Sequence, residues 1–141
     1  MEQKTIELVQ ESFEKVKPIS GDAALLFYQK LFELDPALKK LFPSDEASMA
    51  AQRGKLMTML GSAVTGLTNL EILVPILQDL GKRHVQYNVE PAHYATVGAA
   101  LIDTLSAGLG ENFTPEVKAA WTQVYQTMSD VMIQASYKAT S

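Results

Sequence analysis

Apolar residues recur at three- and four-residue intervals along nearly the whole chain. No segment alternates apolar and polar residues for long enough to form a strand. Such a pattern folds by packing helix against helix. Ile6, Val9, Phe13 and Val16 share one face of the first segment, and Leu25, Tyr28, Leu31 and Phe32 share one face of the second. Met49, Gln52, Leu56, Met59, Leu60 and Ala63 line a third, running roughly from Ser48 to Gly66. Tyr94, Val97, Leu101 and Leu105 mark a later helix, and Val117, Trp121, Val124, Met128, Val131 and Met132 mark the last. The boundaries are set by turn chemistry. Pro18 follows the first segment, and Ser20-Gly21 can open the second. Asp35-Pro36 reads as a cap and first turn of a short helix ending at Leu41. Thr68 or Asn69 caps the next helix, which carries Pro75 near its start. Pro91 opens another, and Thr114-Pro115-Glu116 opens the last. The expected fold is all-α, with seven or eight helices forming a single domain over residues 1–141. Gly54 and Gly61 fall inside the third helix, where each costs about 1 kcal/mol relative to alanine. Their spacing favours another helix crossing closely there.

Charge and composition remove several functions. The net charge is -4, and no block of Lys and Arg interrupts the acidic balance, so a nucleic-acid or anionic-membrane footprint is missing. There is no cysteine, which excludes disulfides, zinc-thiolate sites, iron–sulfur clusters and thiol catalysis. The first sixteen residues, MEQKTIELVQESFEKV, are charged and amphipathic rather than signal-like. No apolar run is long enough to span a bilayer. The expected location is the cytoplasm.

Candidate chemistry sits on the apolar stripes. Leu73, Leu77, Leu80 and His84 fall at i, i+4, i+7 and i+11, so a histidine completes a leucine face. Tyr28 and Gln52 interrupt two other apolar faces in the same way. A buried amide or imidazole left without a partner costs about 1–3 kcal/mol. Taken singly, each has an ordinary explanation: a core histidine on a carbonyl, a tyrosine hydroxyl reaching the backbone, a glutamine at a rim. Taken together, one imidazole with hydrogen-bonding groups on two other helices suits a small-ligand site. An iron held by one neutral histidine nitrogen is one chemistry that fits. A bare zinc site fits poorly, because His84, His93 and the carboxylates show no recognisable metal spacing.

Three stretches carry a family resemblance: LFYQKLFELDPALKKLF, LQDLGKRHVQYNVEPAHYATVGAAL and LGENFTPEVKAAWTQVYQTM. From about Thr5 to Met132 the chain resembles the globins, in particular bacterial single-domain globins, neuroglobins and the haem domain of flavohaemoglobins. The resemblance implies the globin fold around one haem b. It implies His84 as the proximal ligand of the iron and Phe42 as the phenylalanine packed on the porphyrin. Tyr28 and Gln52 match the distal positions that face bound ligand, and Leu56 matches their apolar neighbour. Lys55 matches a basic position that meets a haem propionate, while Val89, Tyr94 and Val97 match proximal-side pocket positions. Two departures stand out. Gln52 replaces the distal histidine of vertebrate globins and neuroglobins, and Ser136 stands where flavohaemoglobins carry a glutamate that polarises the proximal histidine. The second departure weakens a peroxidase reading. The chain ends at Ser141, so a flavin reductase domain is not expected within it.

The function this implies is reversible, high-affinity oxygen binding, with NO and CO as further ligands. Nitric oxide dioxygenation would need an external reductase, and whether the protein is an enzyme stays open. The alternatives are a haem-based sensor acting through a separate partner and a haem-free interaction module. A monomer or weak dimer is expected.

Overall fold

The computed structural model describes residues 2–42, 45–86 and 91–136, and the side chains at 84–86, 91 and 136 lie outside that description. Six α-helices account for most of these residues: α1 (Gln3–Val16), α2 (Ser20–Leu34), α3 (Glu46–Thr65), α4 (Leu70–Gln86), α5 (Pro91–Leu109) and α6 (Pro115–Ser136). Short 3₁₀ segments join several of them, at Lys17–Ile19, Pro36–Leu41, Gly66–Thr68 and Gly110–Asn112. No strand occurs among the described residues. The short helix expected from Asp35-Pro36 to Leu41 is present as a 3₁₀ helix, and the expected restarts at Pro91 and Pro115 hold.

Side-chain caps explain where helices begin. The Asp45 carboxylate accepts the Ser48 backbone N–H at 2.8 Å and opens α3. The Asp35 carboxylate accepts from the Ala37 N–H at 3.2 Å, ahead of Pro36. Thr114 Oγ1 accepts from the Val117 N–H at 3.2 Å at the start of α6. Pro75 lies inside α4 with its ring exposed, so the backbone bond it cannot make is on the solvent side.

The main packing layers are α4 on α6, α2 on α5 and α1 on α6. Helix α6 is the hub: Trp121 and Val124 are completely buried, and Trp121 Nε1–H donates to Ser12 Oγ of α1 at 2.7 Å. The α1 stripe of Ile6, Val9, Phe13 and Val16 is buried as its spacing predicts. Two expectations are corrected. Leu25 is 44% exposed, because α2 turns Ala24, Phe27, Tyr28 and Leu31 inward and places Leu25 off that face. Gly54 faces open space, and a Cβ on Gly61 would meet only the Phe13 ring at an ordinary 3.6 Å, so no close backbone crossing explains this pair.

Candidate functional site

Helices α2, α3, α4, α5 and α6 enclose a cavity of about 230 Å³. Its wall is hydrocarbon and aromatic: Phe27, Tyr28 and Leu31 from α2, Leu56, Met59 and Leu60 from α3, Leu77 and Leu80 from α4. Tyr94 and Val97 of α5 and Tyr125, Met128 and Met132 of α6 close the other side. Among the described residues no charged side chain lines it. A wider groove of about 750 Å³ runs between α1, α3 and the start of α4, but it is open to solvent and holds none of the candidate residues.

The predicted residues distribute around this cavity as follows. Tyr28 is buried in its wall. Burial pushes the Tyr28 hydroxyl above its ordinary pKa, while a hydrogen bond with Gln52 and the Arg53 charge pull it back. Gln52 is half-buried on α3, one turn before Leu56, and meets Tyr28 rather than forming part of the cavity wall. Phe42 follows the Pro36–Leu41 turn and lines the cavity, half-buried. Its ring lies edge-on to Tyr28 and to Phe32, at centroid distances of 5.3 Å and 5.5 Å. Leu56 and Val97 are half-buried in the wall, and Tyr94 is buried there. Lys55 is exposed on α3, outside the wall.

Helix α4 runs unbroken through position 84. Leu77 and Leu80 on α4 face the cavity, and position 84 follows Leu80 by one turn on the same stripe. The His84 side chain and Val89 lie outside the described residues. His93 is half-buried in the first turn of α5. Ser136 ends α6, and its side chain is outside the description. No group of three or more His, Cys, Asp or Glu side chains gathers as a metal site among the described residues.

The α6 wall was not anticipated. Tyr125 and Ser129 line the cavity beside Met128 and Met132. The Tyr125 hydroxyl donates to the Tyr94 carbonyl oxygen at 2.6 Å. Burial pushes its pKa far up, and the neighbouring Tyr94 adds to the shift. A signal existed: Trp121, Tyr125, Met128 and Met132 stand at i, i+4, i+7 and i+11.

A family profile described as Globin matches residues 25–132. Flavohemoproteins of Bacillus subtilis and Rhodopirellula baltica are 25% and 26% identical over 133 residues, covering 94% of this chain. The chain spans 33%, about a third, of the length of each of these two relatives. A protein from Oryza sativa subsp. indica, named an anaerobic nitrite reductase, is 29% identical over 138 residues, with 94% of each chain covered. No helix among the described residues is long and apolar enough to cross a membrane. The matched span takes in two thirds of α2, all of α3, α4 and α5, and most of α6, which are the helices that build the cavity. This chain belongs to the globin family, and its cofactor is haem.

Proposed function

We propose that this protein binds dioxygen reversibly and with high affinity at a haem held in the α2–α6 cavity. The chemistry of the wall fits the group. A hydrocarbon and aromatic lining suits a flat apolar macrocycle, and position 84 extends the cavity-facing stripe of α4. In this reading His84 would hold the iron through an imidazole nitrogen, and Phe42, Leu56, Tyr94 and Val97 would pack against the macrocycle. The resemblance assigns Val89 the same role. Lys55, exposed on α3, would meet the carboxylates at the ring edge.

When bound, haem would supply reversible binding of a diatomic gas and electron density that makes dioxygen a good hydrogen-bond acceptor. The chain supplies the donors. A tyrosine hydroxyl is protonated at neutral pH, and burial moves the Tyr28 pKa further up from 10.0, so it is available as a donor. Gln52 stands beside it and orients it. The observation that carries this reading is the buried Tyr28 hydroxyl in a mostly apolar wall, with Gln52 near enough on α3 to lower its pKa. CO carries little such charge and gains less from the same donors.

Conversion of nitric oxide and dioxygen to nitrate takes up one electron, so that use of the pocket requires an external reductase. The flavohemoprotein and nitrite reductase names of the relatives are in keeping with redox use of this pocket.

The test is oxygen release from the ferrous protein by stopped flow. A hydrogen bond to a charged group contributes about 1.5–3 kcal/mol, so Tyr28→Phe should speed release by about ten- to a hundredfold. An unchanged release rate would overturn the role given to Tyr28.

A further inference from the structure

The α5–α6 contact is built around one side chain. The Tyr125 ring lies against Gly98 so closely that a Cβ there would stand 2.7 Å from ring atom Cε2. Its hydroxyl donates to the Tyr94 carbonyl at 2.6 Å, one helical turn before Gly98. In α-helical geometry that carbonyl also receives the Gly98 N–H. The ring thus occupies a slot that only glycine leaves open, and the hydroxyl makes a second bond to a carbonyl already used by the helix. Both Tyr94 and Tyr125 line the cavity. The tie sits in the first turns of α5, which start five residues after α4 ends at Gln86.

We propose that Tyr125 is a positioning residue: its ring in the Gly98 slot and its hydroxyl on the Tyr94 carbonyl fix the first turns of α5, and so the α5 wall of the haem cavity. The role is mechanical. Tyr94 and Val97 are the α5 residues of that wall, and the tie sets how far they stand from α6. Without it, the α5–α6 contact loses a directional bond, which resists sliding more than apolar contact does. Because α5 begins so soon after α4, movement of this corner also moves the end of the helix that carries position 84.

The inference rests on the haem reading above, and the experiment separates the two. Tyr125→Phe keeps the ring and removes the hydroxyl. Gly98→Ala keeps the hydroxyl and forces the ring out of its slot. Ser12→Ala serves as a control, since it removes a buried side-chain bond of α6, that to Trp121, away from the cavity. Three quantities are compared: amide exchange at residues 94–98 in the apoprotein, the iron–histidine stretching band of the ferrous protein by resonance Raman, and the haem dissociation rate. Loss of one neutral hydrogen bond corresponds to haem loss roughly two- to tenfold faster. Tyr125→Phe and Gly98→Ala should speed exchange at Gly98, shift the band and hasten haem loss, while Ser12→Ala leaves the band in place. Wild-type exchange, band position and haem retention in Tyr125→Phe would overturn the proposal, as would the same shift in Ser12→Ala. A wild-type protein without any iron–histidine band would instead sink the role of His84, and the apoprotein exchange would still decide the role of Tyr125.

Discussion

Phe42 presents its ring edge to Tyr28 at a centroid distance of 5.3 Å, joining the turn before α3 to the inward face of α2. Tyr28 in turn packs on Phe27 at 5.1 Å and on Phe32 at 6.0 Å. The Tyr28 hydroxyl is therefore carried on a ring held from several sides, so in the proposed role little entropy would be lost when it donates.

Phe42→Ala should lower stability by about 2 kcal/mol. That is below the 3–5 kcal/mol typical of a fully buried phenylalanine, because Phe42 is half-buried and loses two edge-on contacts of about 0.5–1.5 kcal/mol each. Phe42→Leu keeps apolar area without those edge contacts and should cost about half as much. Urea denaturation of the apoprotein checks both.

Alkaline pH should unfold the protein through its tyrosines. Burial raises the pKa of both Tyr28 and Tyr125 above the ordinary 10.0, so the folded chain keeps protons that the unfolded chain releases. The stability tied to these hydroxyls is complete below about pH 10 and declines as pH rises beyond it, by roughly 1.4 kcal/mol per pH unit for each group. Tyr28→Phe and Tyr125→Phe should each flatten that decline. Urea midpoints measured between neutral pH and about pH 11 report the slope.

Gln52→Leu should push the Tyr28 pKa higher still. The amide hydrogen bond is one of the two influences that lower it, and leucine cannot replace it. Phenolate absorbance followed on alkaline titration, with Tyr28→Phe as the blank, gives the shift. An unmoved titration would show that the two side chains do not interact.

Ser12→Ala should cost about 1–3 kcal/mol, because Trp121 is fully buried and its Nε1–H loses its acceptor. Thermal unfolding of the apoprotein measures it, and oxygen release should be unaffected.

Most of the helical frame was legible in the sequence. Proline and cap residues mark chain boundaries through local chemistry, so Asp35-Pro36, Pro91 and Thr114-Pro115 located their elements well. Leu25 was misplaced because periodicity identifies a face only to within a residue or so, and small Ala23 and Ala24 take the inward positions. The two glycines of α3 carried no packing signal, since a glycine's meaning depends on what stands opposite it. Gly98 shows the converse: its role comes from a ring 27 residues later in sequence. On the site, Tyr28, Phe42, Leu56, Tyr94 and Val97 stand in the cavity wall, Gln52 and Lys55 lie outside it, and the His84 side chain and Val89 lie outside the described residues. The stripe through Val124 hides Tyr125, because Val124 is completely buried while its neighbour Tyr125 is half-buried against the cavity. The second stripe, Trp121, Tyr125, Met128 and Met132, shares three of its members with the first, so it stands out only once the cavity is seen.

The central claim is that His84 supplies the axial nitrogen in this cavity. The most direct measurement is the absorption spectrum and haem retention of wild-type and His84→Ala protein, each in the ferrous state, with and without added imidazole. The variant should lose the spectral signature of iron–histidine ligation and hold haem weakly, and imidazole should restore the wild-type spectrum. A variant that retains haem equally well, with an unchanged spectrum and no response to imidazole, would contradict the role of His84.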